Sequence, residues 1–240
     1  LFARVGAVYN TRQQFHLSSE QLRLLQRYRT QFIRAGARLS DAQKTEMRAI
    51  NSELSKLTTT FEQNLLKETI DSAVIVDSAA ELDGLADDEI AAAADAAKTR
   101  GLDGKFLLTL QNTTGQPPLA RLKNRALREK IYKASVARGR RGNEHDNRAV
   151  LARLVEPRAR RAQLLGYANH AAYVLADETA RTTEAVNAML GKLVPAAIAN
   201  ARRESAALQQ LIDAENGGFA LAAWDWAYYT EKLRKQRYDF

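Results

Sequence analysis

A chain of 240 residues can bury a true core as one large domain or two small ones; with 45% hydrophobic and 27% charged residues, four prolines and twelve glycines, it is neither disordered nor fibrous. The absence of cysteine excludes disulfides and thiolate metal sites and leads us to expect a reducing, cytoplasmic setting; no apolar run approaches the length of a membrane span. The net charge of +8 is uneven: residues 121–166 carry 14 Lys and Arg against 4 Asp and Glu, whereas residues 71–103 carry 9 acids against 2 bases. A leucine in first position is expected to mark a native N-terminus that is missing.

In chain order, "LSSEQLRLLQRYRTQFIRAG" predicts a helix that opens on a Ser18–Gln21 capping box, with Leu17 and Leu22 placed as a hydrophobic staple. Leu22, Leu25, Tyr28 and Phe32 fall at helical spacing, and Gly36 can supply a left-handed stop. Ser40 and Gln43 form a second box, after which Met47, Ile50, Leu54, Leu57 and Phe61 repeat at three and four residues. Residues 17–69 therefore predict an antiparallel helical hairpin. "SAVIVD" at 72–77 and "KFLLTL" at 105–110 read as two short strands that pair with each other. Between them, acids in the first turn, an alanine-rich body, basic residues at the end and Gly101 predict another helix.

After the turn-rich "QNTTGQPP", helices are predicted over about 118–138, 146–165 and 169–176. A long one should follow from an N-cap at Thr182 to about Glu215, and a last one in "AAWDWAYYTEKLRKQRY" after the break at "NGG". Pro157 and Pro195 should each kink or interrupt a helix. The fold class is mainly α: helical hairpins and long kinked helices with a minor two-stranded antiparallel β element.

His16, His145 and His170 stand alone, without H-E-x-x-H, and no phosphate loop or G-x-S-x-G elbow is present. No catalytic centre follows from motifs. On a helix over 118–138, Arg121, Arg125 and Arg128 would form a cationic ridge at i, i+4 and i+7, with only Tyr132 as a nearby stacking group. A solvated face, or one paired with the acidic 71–103 segment, is the ordinary reading of such a ridge. In "WDWAYY", Trp224 with Tyr228 and Asp225 with Tyr229 share helical spacing. Core packing is the expected role of this aromatic cluster, with Asp225 serving a buried donor.

"GLDGKFLLTLQNTTGQPPLARLKNRALREKIYKAS", "RRAQLLGYANHAAYVL" and "AWDWAYYTEKLRKQRYD" resemble the thimet-oligopeptidase-like zinc metallopeptidases, peptidyl-dipeptidase branch, and "LFARVGAVYN" through "RAGARLSDAQK" resembles that branch's N-terminal helical region. The resemblance implies a largely helical two-domain enzyme with a deep channel, taking oligopeptide substrates and releasing C-terminal dipeptides. It also implies zinc held by two histidines of a downstream H-E-F-G-H helix and a later glutamate, with the motif glutamate activating water. None of those positions occurs in these 240 residues. Ala86 stands where the family often has a serine cap.

Residues 1–240 are thus expected to be the helical N-terminal-side region of a larger metallopeptidase, with the catalytic zinc-binding half absent. Such a fragment should form scaffold and part of a substrate-channel wall, bind no zinc of its own, be inactive alone and be prone to self-association. Arg121, Arg125 and Arg128 are the substrate-channel candidates, through attraction of a peptide carboxylate. No catalytic or metal residue is assigned. The competing expectation is a basic helical binding module for nucleic acid or an acidic protein partner; the scarcity of aromatic groups disfavours the nucleic acid.

Overall fold

The computed structural model describes residues 1–111 and 115–238. The fold is mainly α with one small antiparallel sheet. Two compact units emerge: one of residues 1–60 and 150–189, the other of residues 61–149 and 190–240.

The first unit begins with α1 (Phe2–Asn10), a 3₁₀ turn (Arg12–Phe15) and α2 (Ser19–Arg34). Both predicted capping boxes form. Gln21 N–H donates to Ser18 Oγ (3.2 Å) and Ser18 N–H to Gln21 Oε1 (3.0 Å); Gln43 and Ser40 repeat the exchange at 3.3 and 3.0 Å, opening α3 (Asp41–Asp71). Gly36 takes φ +92° and stops α2, with Ala37 N–H reaching back to Phe32 O. Of the expected inward face of α2, Leu22, Leu25 and Phe32 are half-buried, but Tyr28 is exposed.

The core of this unit joins Ile50 and Leu54 of α3 to Leu154 of α6 (Arg148–Leu164), with Leu57 and Leu164 against it. α6 runs through Pro157 without interruption. Pro157 is itself buried, and Leu154 and Leu164 pack on α3 on both sides of it, with ion pairs Arg153–Glu53 and Arg160–Glu46 flanking the contact, so a single missing amide does not break the helix. α7 (His170–Leu175) follows, capped by Asn169 through the Ala172 N–H (2.9 Å). α8 (Thr183–Ala214) opens on Thr182, whose Oγ1 accepts from Ala185 N–H (3.1 Å), and continues through Pro195.

In the second unit β1 (Val74–Val76) pairs antiparallel with β2 (Phe106–Leu108) in the register Val74 with Leu108. α4 (Asp87–Thr99) connects them. Its start lacks a side-chain cap at Ala86, although Ala86 N–H still finds Glu89 Oε2 (3.0 Å). Beneath lies the main core of Val74, Val76, Leu82, Leu108, Leu110, Leu119, Leu122, Leu127 and Ile131. The turn expected in "QNTTGQPP" falls partly on residues 112–114, outside the described residues.

A single helix over 118–138 does not form. A 3₁₀ turn (Pro117–Ala120) ends at Arg121, and α5 (Arg125–Val136) starts afresh with Asn124 Oδ1 accepting from Leu127 N–H (3.1 Å). The backbone between them is spent elsewhere. Lys123 N–H donates to Asp83 O (2.9 Å), while Arg128 Nη1 donates to the carbonyls of Leu122 (2.8 Å) and Lys123 (3.1 Å). The last helix, α9 (Trp226–Tyr238), also starts later than the pattern implies. Ala222 N–H donates to Asp225 Oδ2 (3.1 Å), closing a turn that keeps Trp224 and Asp225 ahead of the helix.

Gly84 (φ +102°) lies against the 121–123 connection so closely that a Cβ would stand 2.1 Å from Arg121 O, whereas one on Gly101 (φ +71°) would meet nothing within 4 Å. Gly84→Ala should therefore cost more than about 2 kcal/mol, and Gly101→Ala only about 1 kcal/mol from its backbone angle; urea titrations of the two variants compare them. Ala86→Ser should raise stability by about 1 kcal/mol by supplying the missing cap, read as a rise in the urea midpoint.

Candidate functional site

Of the residues selected from the sequence, Arg125, Arg128, Trp224, Asp225, Tyr228 and Tyr229 meet at one place in the second unit, where α5 faces the turn before α9, and Arg121 does not join them. Arg125 Nε and Nη2 donate to Asp225 Oδ1 and Oδ2 at 3.0 and 2.8 Å, and Arg128 Nη2 donates to Oδ1 at 2.9 Å. Asp225 is fully buried and Arg128 is 2% exposed. One carboxylate thus receives a two-pronged guanidinium, a second guanidinium and a backbone amide, a full set of charge-assisted partners.

Aromatic rings close the site. The Arg125 guanidinium lies 4.0 Å from the Phe219 ring centre and 5.6 Å from that of Trp224, and Arg128 lies 4.2 Å from that of Tyr228. Tyr229 is buried with Leu208 and Ile212 of α8 and stands edge-on to Tyr228 at 5.2 Å. Trp224 packs toward Tyr132 of α5 at 6.2 Å, while its Nε1 is buried without a hydrogen-bond partner among the described residues. The expected donor partner for Asp225 is thereby identified as an arginine pair. Phe219 was missed because no helical spacing links it to the cluster; the chain returns to Arg125 through the loop after α8.

Burial pushes the Asp225 carboxyl up, but the hydrogen bonds from Arg125 and Arg128 and from Ala222 N–H outweigh it and hold the group below the ordinary carboxylate range. Burial, then Glu215, pushes the Tyr229 phenol up. Both groups therefore keep one charge state through neutral pH. Neither is poised for proton transfer.

The ridge of Arg121, Arg125 and Arg128 does not exist as a helix face. Arg121 lies outside α5 and pairs with Glu89 of α4, and Lys123 pairs with Asp83 at 3.1 Å. The acidic 71–103 segment therefore takes part of the basic charge. A second buried carboxylate takes more: Glu68 is met by Arg141 Nε at 2.6 Å and by Asn143 Nδ2 at 2.8 Å. Beside the cluster an open cleft of about 600 Å³ is lined by Pro117, Leu119, Tyr132, Trp226 and Ala227 among others, with no titratable group suited to catalysis. It can contact apolar side chains and cannot move protons.

Metal-binding residues do not gather. Among the described residues no three His, Cys, Asp or Glu side chains could hold a metal ion; His145 Nε2 instead lies 3.4 Å from an Asp71 carboxylate oxygen. The donor set does not fit a catalytic zinc. No helix among the described residues is long and apolar enough to cross a membrane.

Asp225→Asn should cost about 3–5 kcal/mol, because it leaves Arg128 buried beside a neutral amide, and Asp225→Leu with Arg128→Met should recover part of that loss. Because the folded Asp225 pKa is depressed, its contribution is present above the unfolded value of about 3.9 and is lost as pH falls through the folded pKa. Stability of the natural chain should fall below that pH more steeply than that of Asp225→Asn, as measured by urea unfolding across an acid series.

Peptidase family M3 matches residues 119–240, which include α5, α9 and the cluster between them. The chain is 42% identical over 239 residues to a dipeptidyl carboxypeptidase of Escherichia coli, covering 100% of this chain and 35% of that protein. It is 34% identical over 194 residues to oligopeptidase A of Escherichia coli, covering 79% and 28%, and 31% identical over 233 residues to a probable cytosolic oligopeptidase A of Arabidopsis thaliana, covering 93% and 33%. The chain spans about a third of the length of these curated relatives. With the family match extending over half of its residues, the chain belongs to peptidase family M3.

Proposed function

We propose that these residues are the helical scaffold of a dipeptidyl carboxypeptidase, an enzyme that releases dipeptides from the C-termini of oligopeptides, and that they form part of its substrate-channel wall. The observation that carries this reading is the 42% identity sustained over 239 residues to a protein of that name. In this reading the zinc chemistry of such an enzyme belongs to residues other than these; in support, no metal-binding group of His, Cys, Asp or Glu gathers among the described residues. This segment is inactive alone. Its own contribution is to hold helices in place: the Asp225 cluster ties α5 to the start of α9, and the cleft along Pro117, Tyr132 and Trp226 offers an apolar surface to a peptide.

The steering of a peptide carboxylate, expected of three arginines, narrows to Arg121. Arg128 is buried on Asp225 and Arg125 is bound to the same carboxylate, while the Arg121 side chain keeps 42% exposure beside its Glu89 partner. No observation favours the nucleic-acid reading, since nine of the basic side chains from Arg121 to Arg160 are engaged with carboxylates.

A chimera in which these 240 residues replace the matching segment of the Escherichia coli dipeptidyl carboxypeptidase should release dipeptides from unstructured peptides, and the 240-residue chain alone should not. Stoichiometric zinc with dipeptide release by the chain alone would overturn the assignment, as would a folded chimera with no activity. Arg121→Glu in the active chimera should raise KM several-fold at low salt with little change in kcat; an unchanged KM removes the steering role.

A further inference from the structure

The most cationic stretch left unpaired lies in the first unit, away from residues 121–166. Residues 1–38 contain seven arginines, one glutamate and no lysine or aspartate. None of these arginines forms an ion pair among the described residues. Three of them, Arg23, Arg27 and Arg29 of α2, line a cavity of about 260 Å³ together with Tyr9, Thr30 and Asp177. Space of that size holds roughly eight waters at ~30 Å³ each. A second cavity of about 360 Å³ shares Arg23, Thr30 and Asp177 and adds Arg181 and Glu178.

Like charges are held close here, with no ion pair to a carboxylate among the described residues. Arg12 and Arg29 both lie against the Tyr9 ring, their guanidinium carbons 4.3 and 4.2 Å from its centre. Arg34 of the same helix has a different fate: it donates to Tyr173 O at 2.7 Å and packs on the Tyr173 ring. That contact helps hold the α7 end of the first unit, while Arg23, Arg27 and Arg29 keep their forks free of side-chain hydrogen bonds among the described residues. Guanidinium groups converging on one cavity, with the Thr30 hydroxyl beside them, match a ligand with several tetrahedral oxyanions better than a single carboxylate. Tyr9, the aromatic ring that lines this cavity, is already taken by two guanidiniums and is not free to stack a nucleic-acid base there.

We propose that the cavity between α1, α2 and the segment after α7 is an oxyanion site that binds an oligophosphate group. Asp177 is the one carboxylate in the first cavity and opposes binding, so its neutralisation strengthens the site. The site lies in the first unit and does not depend on the peptidase reading.

Tripolyphosphate titrated into the 240-residue chain by calorimetry, at ionic strength held constant with NaCl, tests this. Saturable one-site binding is expected, with ATP close to tripolyphosphate and AMP much weaker. Arg23→Gln with Arg27→Gln, both exposed and away from the core, should weaken binding about tenfold or more, Asp177→Asn should tighten it, and Arg140→Gln should leave it unchanged. Melting curves without ligand confirm that the variants fold. Equal heats from NaCl alone, unaltered affinity in the double variant, or AMP binding as tightly as ATP would each overturn the proposal. Single-stranded RNA that binds through the same arginines and is not displaced by tripolyphosphate would overturn it in favour of a nucleic-acid surface.

Discussion

A carboxylate with no access to water must have its charge met on the spot, and Asp225 sets that demand for the second unit. Its two oxygens receive Arg125, Arg128 and the Ala222 amide. Several consequences follow from one geometry. Arg128 is held where its other nitrogen donates to the carbonyls of Leu122 and Lys123, so the connection before α5 is non-helical for the same reason that the carboxylate is satisfied. The turn before α9 closes on Asp225 as well. An ion pair of this kind adds little over a well-packed apolar substitute, but each half is costly to bury without the other. It therefore specifies which elements meet more than it adds to total stability.

Pairing across the sequence, here mostly at exposed positions, also accounts for much of the distribution of charge along the chain. A block of 14 basic residues in residues 121–166 resembles an interaction surface when counted in one dimension. In the fold its members turn to different carboxylates: Arg121 to Glu89, Lys123 to Asp83, Arg141 to Glu68, Arg153 to Glu53 and Arg160 to Glu46. Local neutrality is reached across the sequence rather than along it. The arginines of residues 1–38 also form no ion pairs among the described residues, and three of them, Arg23, Arg27 and Arg29, line one cavity, where an anionic ligand could meet them.

Membership of peptidase family M3 places this architecture in an enzyme family without placing a catalytic centre in these residues. Buried polar junctions, two capping boxes and the close approach of Gly84 to the 121–123 backbone are all devices that select one arrangement over near alternatives.

Helix existence was legible because it is written in short-range terms. Ser18 with Gln21, Ser40 with Gln43, Thr182 and Gly36 act on backbone groups within a turn of themselves, and the structure uses each as the sequence implies. The pairing of the two strands and the need of Asp225 for a buried donor were legible in kind. By itself, then, the sequence determined the mainly α class, most helix starts and the absence of a zinc-binding motif. Only the tertiary structure decided where the 118–138 helix breaks, that Trp224 precedes α9, and which carboxylate each arginine serves. Those choices depend on residues about a hundred positions apart competing for the same backbone and charge, a competition that periodicity along one segment does not contain.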